Sequence, residues 1–133
     1  MANSITTQIM TDGSRNTTVK IVGFIDTSNI AVQTAISPAS LVPVPVDFLI
    51  ERVQYVISDT LQIFLEWHGT PNVSAAPLSG RGVLDMTRYG GLPNNATTGK
   101  NGVLDIYTLG WAAAAIQSFT LTFFLVKRGV VVP

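Results

Sequence analysis

The chain has 133 residues, eight Lys or Arg against eight Asp or Glu, and no cysteine. That length fits one domain with its own core. The lack of thiols excludes disulfides and thiolate metal sites, and a formal net charge of zero argues against binding nucleic acid through its phosphates.

Charged residues reach only 12%, about half the usual share. A neutral, charge-poor surface favours association over a free monomer. No basic region followed by an apolar core opens the chain, so no leader is expected. The most apolar stretch, Trp111 to Val126, is broken by Gln117, Ser118, Thr120 and Thr122 and falls short of the roughly 20 residues of a membrane helix. The expectation is a protein made in a cytoplasm and soluble until it assembles.

In chain order, Ile5, Thr7 and Ile9 alternate with Thr6, Gln8 and Met10, which suits a short first strand, and Asp12-Gly13 marks a turn. Thr17 to Asp26 is rich in β-branched residues and reads as a second strand. From Ile30 to Asp47 the pattern loosens. Ser37-Pro38 fits a cap with proline at the first helical position, so one helical turn is expected there. Pro43 and Pro45 then make an extended connection.

Phe48 to His68 carries the clearest alternation. Val53, Tyr55 and Ile57 share a face in its first run, and Leu61, Ile63, Leu65 and Trp67 share one in its second. The short polar link Ser58-Asp59-Thr60 predicts a hairpin between them. Residues 70–82 are a loop by composition. Val83 to Met86 and Val103 to Thr108 are short strands. Arg88 to Lys100, rich in Gly, Asn and Pro, predicts a protruding loop. Ala112 to Ala115 suits a helical turn. Phe119, Leu121, Phe123 and Leu125 define the last strand, and Gly129 to Pro133 follows it as an apolar tail. Seven or eight short strands with few helical segments predict an all-β fold, a single antiparallel β-sandwich or jelly-roll-like domain over residues 1–133. The chain ends, 1–11 and 128–133, are expected as extended arms.

The catalytic patterns in the chain are fragmentary. Asp26-Thr27-Ser28 follows an apolar strand as the Asp-Thr-Gly of dimeric aspartic proteases does, but Ser28 stands where Gly belongs, and a polar turn is the simpler reading. His68 is the only histidine, so neither a triad nor a histidine metal site has a second imidazole. Gly99-Lys100 lacks the spacing of a phosphate loop. Asp85 is expected to pair with Arg81 or Arg88, or to approach Asp105 across paired strands. No catalytic, cofactor-binding or metal residue is assigned, and no cofactor is expected. Trp67, Tyr89, Tyr107 and Trp111 lie near loops, where aromatic rings serve either as core anchors or as platforms for sugars.

The segments QIMTDGSRNTTVKIVGFIDTS, LEWHGT, LSGRGVLD, GGLPNNATTGKNG and LGWAAAAIQSFTLTFFLVK occur in this order. Together they resemble a family of small virion structural proteins of tailed bacteriophages, cyanobacterial phages included. The resemblance implies a non-enzymatic capsid decoration (cement) protein on the outer surface of the virion, made in the host bacterial cytoplasm. It also implies the major capsid protein as partner and a homotrimer as the oligomer, while the neutral charge and the short, interrupted apolar run lead to the expectation of no nucleic-acid or membrane partner. A head-neck or tail component and a carbohydrate-binding β-sandwich are the alternatives. Interfaces of this kind are apolar and poor in charge at their centre, and chain ends suit strand addition. Ile5, Ile9, Val130, Val131 and Val132 are the interface candidates.

Overall fold

A computed structural model describes residues 3–111 and 116–128. Two antiparallel sheets face one another, and the only helical pieces among the described residues are two 3-10 turns. The strands are β1 (Ser4–Asp12), β2 (Asn16–Ile25), β3 (Gln33–Ile36), β4 (Asp47–Ile57), β5 (Gln62–Trp67), β6 (Val73–Ser79), β7 (Arg81–Asp85), β8 (Leu104–Leu109) and β9 (Gln117–Arg128). One sheet has the order β1-β2-β9-β4-β7, the other β3-β8-β5-β6. This is the expected all-β, sandwich-like fold.

Alternation builds the core. Val19, Ile21 and Ile25 of β2 and Phe119, Leu121, Phe123 and Leu125 of β9 all point inward and are buried. From the facing sheet, Ile63, Leu65 and Trp67 of β5 and Leu104 and Ile106 of β8 meet them. The Phe48 and Trp67 rings join the two layers, 5.7 Å apart and tilted by 55°, a favourable aromatic geometry. In β4 a bulge between Ile50 and Arg52 shifts the register by one residue. Phe48 and Ile50 therefore face the core before the bulge, and Val53 and Ile57 after it. Gly23, on the core side of β2, is opposite Phe119. A Cβ there would collide with the Phe119 ring.

Several expectations need correction. The two runs of Phe48–His68 do not form a hairpin: β4 and β5 lie in different sheets. Their apolar faces look at one another across the core rather than lying side by side. The link Ser58–Thr60 is an arch tied to the start of β9. The Gln117 side chain donates to Asp59 O (2.8 Å) and Thr60 Oγ1 (2.9 Å), and Ser58 N donates to Ser118 O (3.0 Å). Thr60 takes a left-handed backbone, φ 70°, which a β-branched residue adopts only under such constraint.

The segment read as a loop contains strand β6, and the loose segment contains β3. Pro77 is tolerated in β6 because that strand is an edge. The Arg88–Lys100 loop is laid against the sandwich rather than projecting. Ile50 and Leu92 exchange backbone bonds (3.0 and 2.7 Å), Thr70 N donates to Thr98 O (2.7 Å), and Asn94 and Ala96 are buried. The Ser37 cap is as expected: its hydroxyl accepts from Ala39 N, and Pro38–Ser40 make a 3-10 turn. The turn expected at residues 112–115 lies outside the described residues.

Leu65 is fully buried between the sheets. Leu65→Ala is expected to lower the unfolding free energy by about 2–5 kcal/mol, and Gly23→Ala by about 1–3 kcal/mol through overpacking against Phe119. Urea titration followed by tryptophan fluorescence reads both. A loss under about 0.5 kcal/mol at Leu65 would contradict its place in the core.

Candidate functional site

Apolar side chains are left in water at several places, and two of them lie on segments at the margin of the sandwich. The first is β1. The sheet that carries it is one strand wider than the sheet it faces, so β1 overhangs. On its core-facing side Ile5 is half-buried, while Thr7 and Ile9 are exposed, Ile9 at 41%. An open groove of about 570 Å³ runs beneath, between Asn3 and Ile5 on one side and Ser28 to Gln33 on the other. Asn3 anchors the entry to β1: its Oδ1 accepts from Asp26 N and Thr27 N at 3.0 and 3.1 Å. The N-terminal segment expected as an arm is therefore a sheet strand from Ser4 onward, paired with β2 and, among the described residues, open on its other edge.

The second place is the connection Leu41–Val46. Burial alternates along it: Leu41 and Pro45 are buried, while Val42 (71%), Val44 and Val46 (64%) are exposed. Val42, Val44 and Val46 thus leave an apolar strap in water along the segment.

Charged groups fasten the strap and β1 to the sandwich. Asp12, at the end of β1, accepts from Val42 N at 2.7 Å and from the Thr17 hydroxyl at 3.3 Å. Lys127 of β9 has a side chain wholly out of solvent, with Nζ 2.6 Å from Asp12 Oδ1. Burial pushes the Asp12 carboxyl up, but the Lys127 ammonium, the Val42 N–H and the Thr17 hydroxyl outweigh it and hold the group below the usual carboxylate range. One residue on, Arg128 grips Asp47 with two bonds, Nε to Oδ1 at 2.9 Å and the terminal nitrogen to Oδ2 at 2.8 Å. That carboxylate stabilises the charged guanidinium and raises its already high pKa.

The polar residues singled out from sequence are tied into the fold by hydrogen bonds. His68 Nδ1 is 2.9 Å from Asp105 Oδ2, and the Asn72 amide donates to the same oxygen at 3.1 Å. This bundle ties the ends of β5 and β8 to the following loop. Asp85 and Asp105 lie in opposite sheets and do not meet. Asp85 instead accepts from the backbone N–H and hydroxyl of Thr87, which hold its carboxyl low. Asp26 ends β2 in a turn and takes the Thr27 hydroxyl at 2.9 Å. No cluster of three potential metal ligands occurs among the described residues. Trp67 is a core anchor, Trp111 is half-buried against the core, and Tyr107 stacks on Phe64 with ring centroids 4.9 Å apart. Tyr89 is widely exposed.

No protein-family model, curated protein or solved structure matches the chain.

Of the interface candidates, Ile5 and Ile9 share the core-facing side of β1, while Val130, Val131 and Val132 lie outside the described residues. The strap valines were not singled out from sequence, although the Val-Pro-Val-Pro-Val alternation carries the period that exposes them.

Removing Asp12 orphans a buried ammonium. Asp12→Ala is expected to cost about 3 kcal/mol, the low end for such a loss because Asp12 keeps some contact with water. Lys127→Met, which removes the buried charge, is expected to cost far less. The folded pKa of Asp12 lies below its unfolded value of about 3.9, so the unfolded chain takes up the proton first on acidification. The contribution of the pair is present above about pH 4 and is lost as pH falls through the depressed folded value. The gap in urea midpoint between the wild type and Asp12→Asn is expected to narrow as pH falls from neutral to about 3. Parallel curves would contradict the assignment.

Proposed function

We propose that this chain is a non-enzymatic structural protein of a tailed-phage virion, a decoration protein seated on the outer surface of the head and bound to the major capsid protein. The observation that carries the assembly reading is the Val42-Val44-Val46 strap, exposed on a charge-poor chain and held in place by Asp12. Contiguous apolar surface of this kind marks contacts between proteins. The strap needs no internal motion to bind, because Leu41 and Pro45 are buried and Asp12 fixes its first N–H. A prearranged surface loses less entropy on docking. The virion assignment draws on the ordered segments that resemble the phage family. Attachment to a shell, and self-association on it, are the functions this surface would serve.

Purified protein is expected to co-sediment with undecorated heads of a tailed phage of the matching host and to raise their thermal transition. Val42→Asp with Val46→Asp is expected to weaken that binding by at least about tenfold, equivalent to about 1.4 kcal/mol, while leaving the melting temperature of the free protein within a few degrees. A wild-type chain that stays in the supernatant at micromolar concentration would sink the capsid reading.

A further inference from the structure

Four strands of the sandwich have one unpaired edge among the described residues: β1, β7, β3 and β6. Exposed edges invite further strands, and soluble proteins blunt them by shortness, charge or proline. Three of these edges are blunted. β3 has four residues, β6 is interrupted by Pro77, and β7 has five residues with Arg81 and Asp85 at its ends. The β1 edge is different. It runs for nine residues with no proline, and its only charged residue is Asp12, which is already engaged by Lys127. A bulge between Ile9 and Thr11 interrupts it near its end, leaving Ser4 to Ile9 as regular strand.

We infer that β1 is a self-association edge, and that two copies of this chain pair β1 to β1 in antiparallel register about a two-fold axis at Thr7. The inference stands apart from the capsid reading. Because the other three edges are blunted, the matching edge on a second copy is β1 itself. Antiparallel pairing keeps core-side residues opposite core-side residues. With Thr7 on the axis, Thr7 faces its own copy, Ile5 faces the second copy's Ile9, and Thr6 faces the second copy's Gln8. Aliphatic and Thr–Thr cross-strand pairs are the favourable kinds, and no like charges are brought together. Shifting the axis to Thr6 would leave Ile9 opposite Asn3 and lose the aliphatic match. The pairing makes one ten-stranded sheet of two copies. It also sets the overhanging Ile5 and Ile9 of both copies side by side, near the exposed Val32 beyond the groove. An edge that pairs with itself closes after two copies, so the unit is a dimer in place of the trimer implied by the family resemblance.

The chain has no cysteine, so Thr7→Cys gives each copy a single thiol, placed on the axis. Opposed Cβ atoms in antiparallel strands lie about 4.5–5.5 Å apart, within small adjustment of disulfide distance. Light scattering of the isolated wild type at micromolar concentration is expected to give the dimer mass. Mild oxidation is expected to convert Thr7→Cys to a covalent dimer, and Gln8→Cys, whose two copies are offset by two residues and lie about 7–8 Å apart on the diagonal, beyond disulfide reach, is expected to stay uncrosslinked. Thr7→Lys, which sets two ammonium groups face to face, is expected to weaken the dimer by about tenfold or more with an unchanged far-ultraviolet spectrum. A monomer at all concentrations overturns the inference. So does a dimer that survives Thr7→Lys and leaves Thr7→Cys reduced, a result that would place self-contact elsewhere, such as on the valine strap. No shell is present in these measurements, so their failure leaves the capsid reading standing.

Discussion

The constraint on which the rest depends is the position of β9. It is hydrogen-bonded on both sides, to β2 and to β4, and four large side chains on one face of it are shut in the core. A strand so placed fixes three things at once. It sets the register of β2 and β4, which never pair with each other. It holds the arch after β4 through Gln117 and Ser118, and so sends β5 into the opposite sheet. At its far end, Lys127 and Arg128 reach Asp12 and Asp47, which locates the end of β1 and the start of β4. The core residues come from distant parts of the chain, and such nonlocal contacts have to be closed against loop entropy before they stabilise anything.

Much of this was legible in the residues because burial on one face imposes a period of two. The inward faces of β5 and β9 could be read directly, as could the Ser37 cap, whereas Val22 and Phe24 blurred the alternation of β2. The partners of each strand could not. Val53 and Ile57 followed by Leu61, Ile63 and Leu65 give the same pattern whether the two strands lie side by side or face one another across the core. Only the Ser118 and Gln117 contacts, some sixty residues away, distinguish the two. Strand β6 was hidden by Pro77 and its small residues, whose place makes sense only once β6 is known to be an edge. The placement of the 88–100 loop is hidden for a related reason: glycine and asparagine signal turns, but they do not say whether the turns project from the sandwich or lie against it.

The interaction surface was half legible. Alternation puts Ile5 and Ile9 on one face, and that much is local. Whether the face is covered depends on how many strands the opposite sheet contributes, which no local pattern records. The sheets have five and four strands, and the mismatch leaves β1 overhanging. The Val42 strap has a similar origin, since a proline-bound segment crossing the end of the sandwich can bury only one of its sides. Both surfaces arise where the fold runs out of cover.

The clamp at the end of β9 has a mechanical side. A pull applied at Arg128 along the strand axis acts on a strand flanked by neighbours on both edges, with ladder bonds that lie across the direction of pull. Such a load is shared by both ladders in shear and does not open them one bond at a time. Behind it stand the two bonds from Arg128 to Asp47 and the buried contact of Lys127 with Asp12. Tension arriving from the C-terminal direction would therefore be delivered to the strongest part of the sandwich, whereas the edge strands at its margins could be peeled away much more easily.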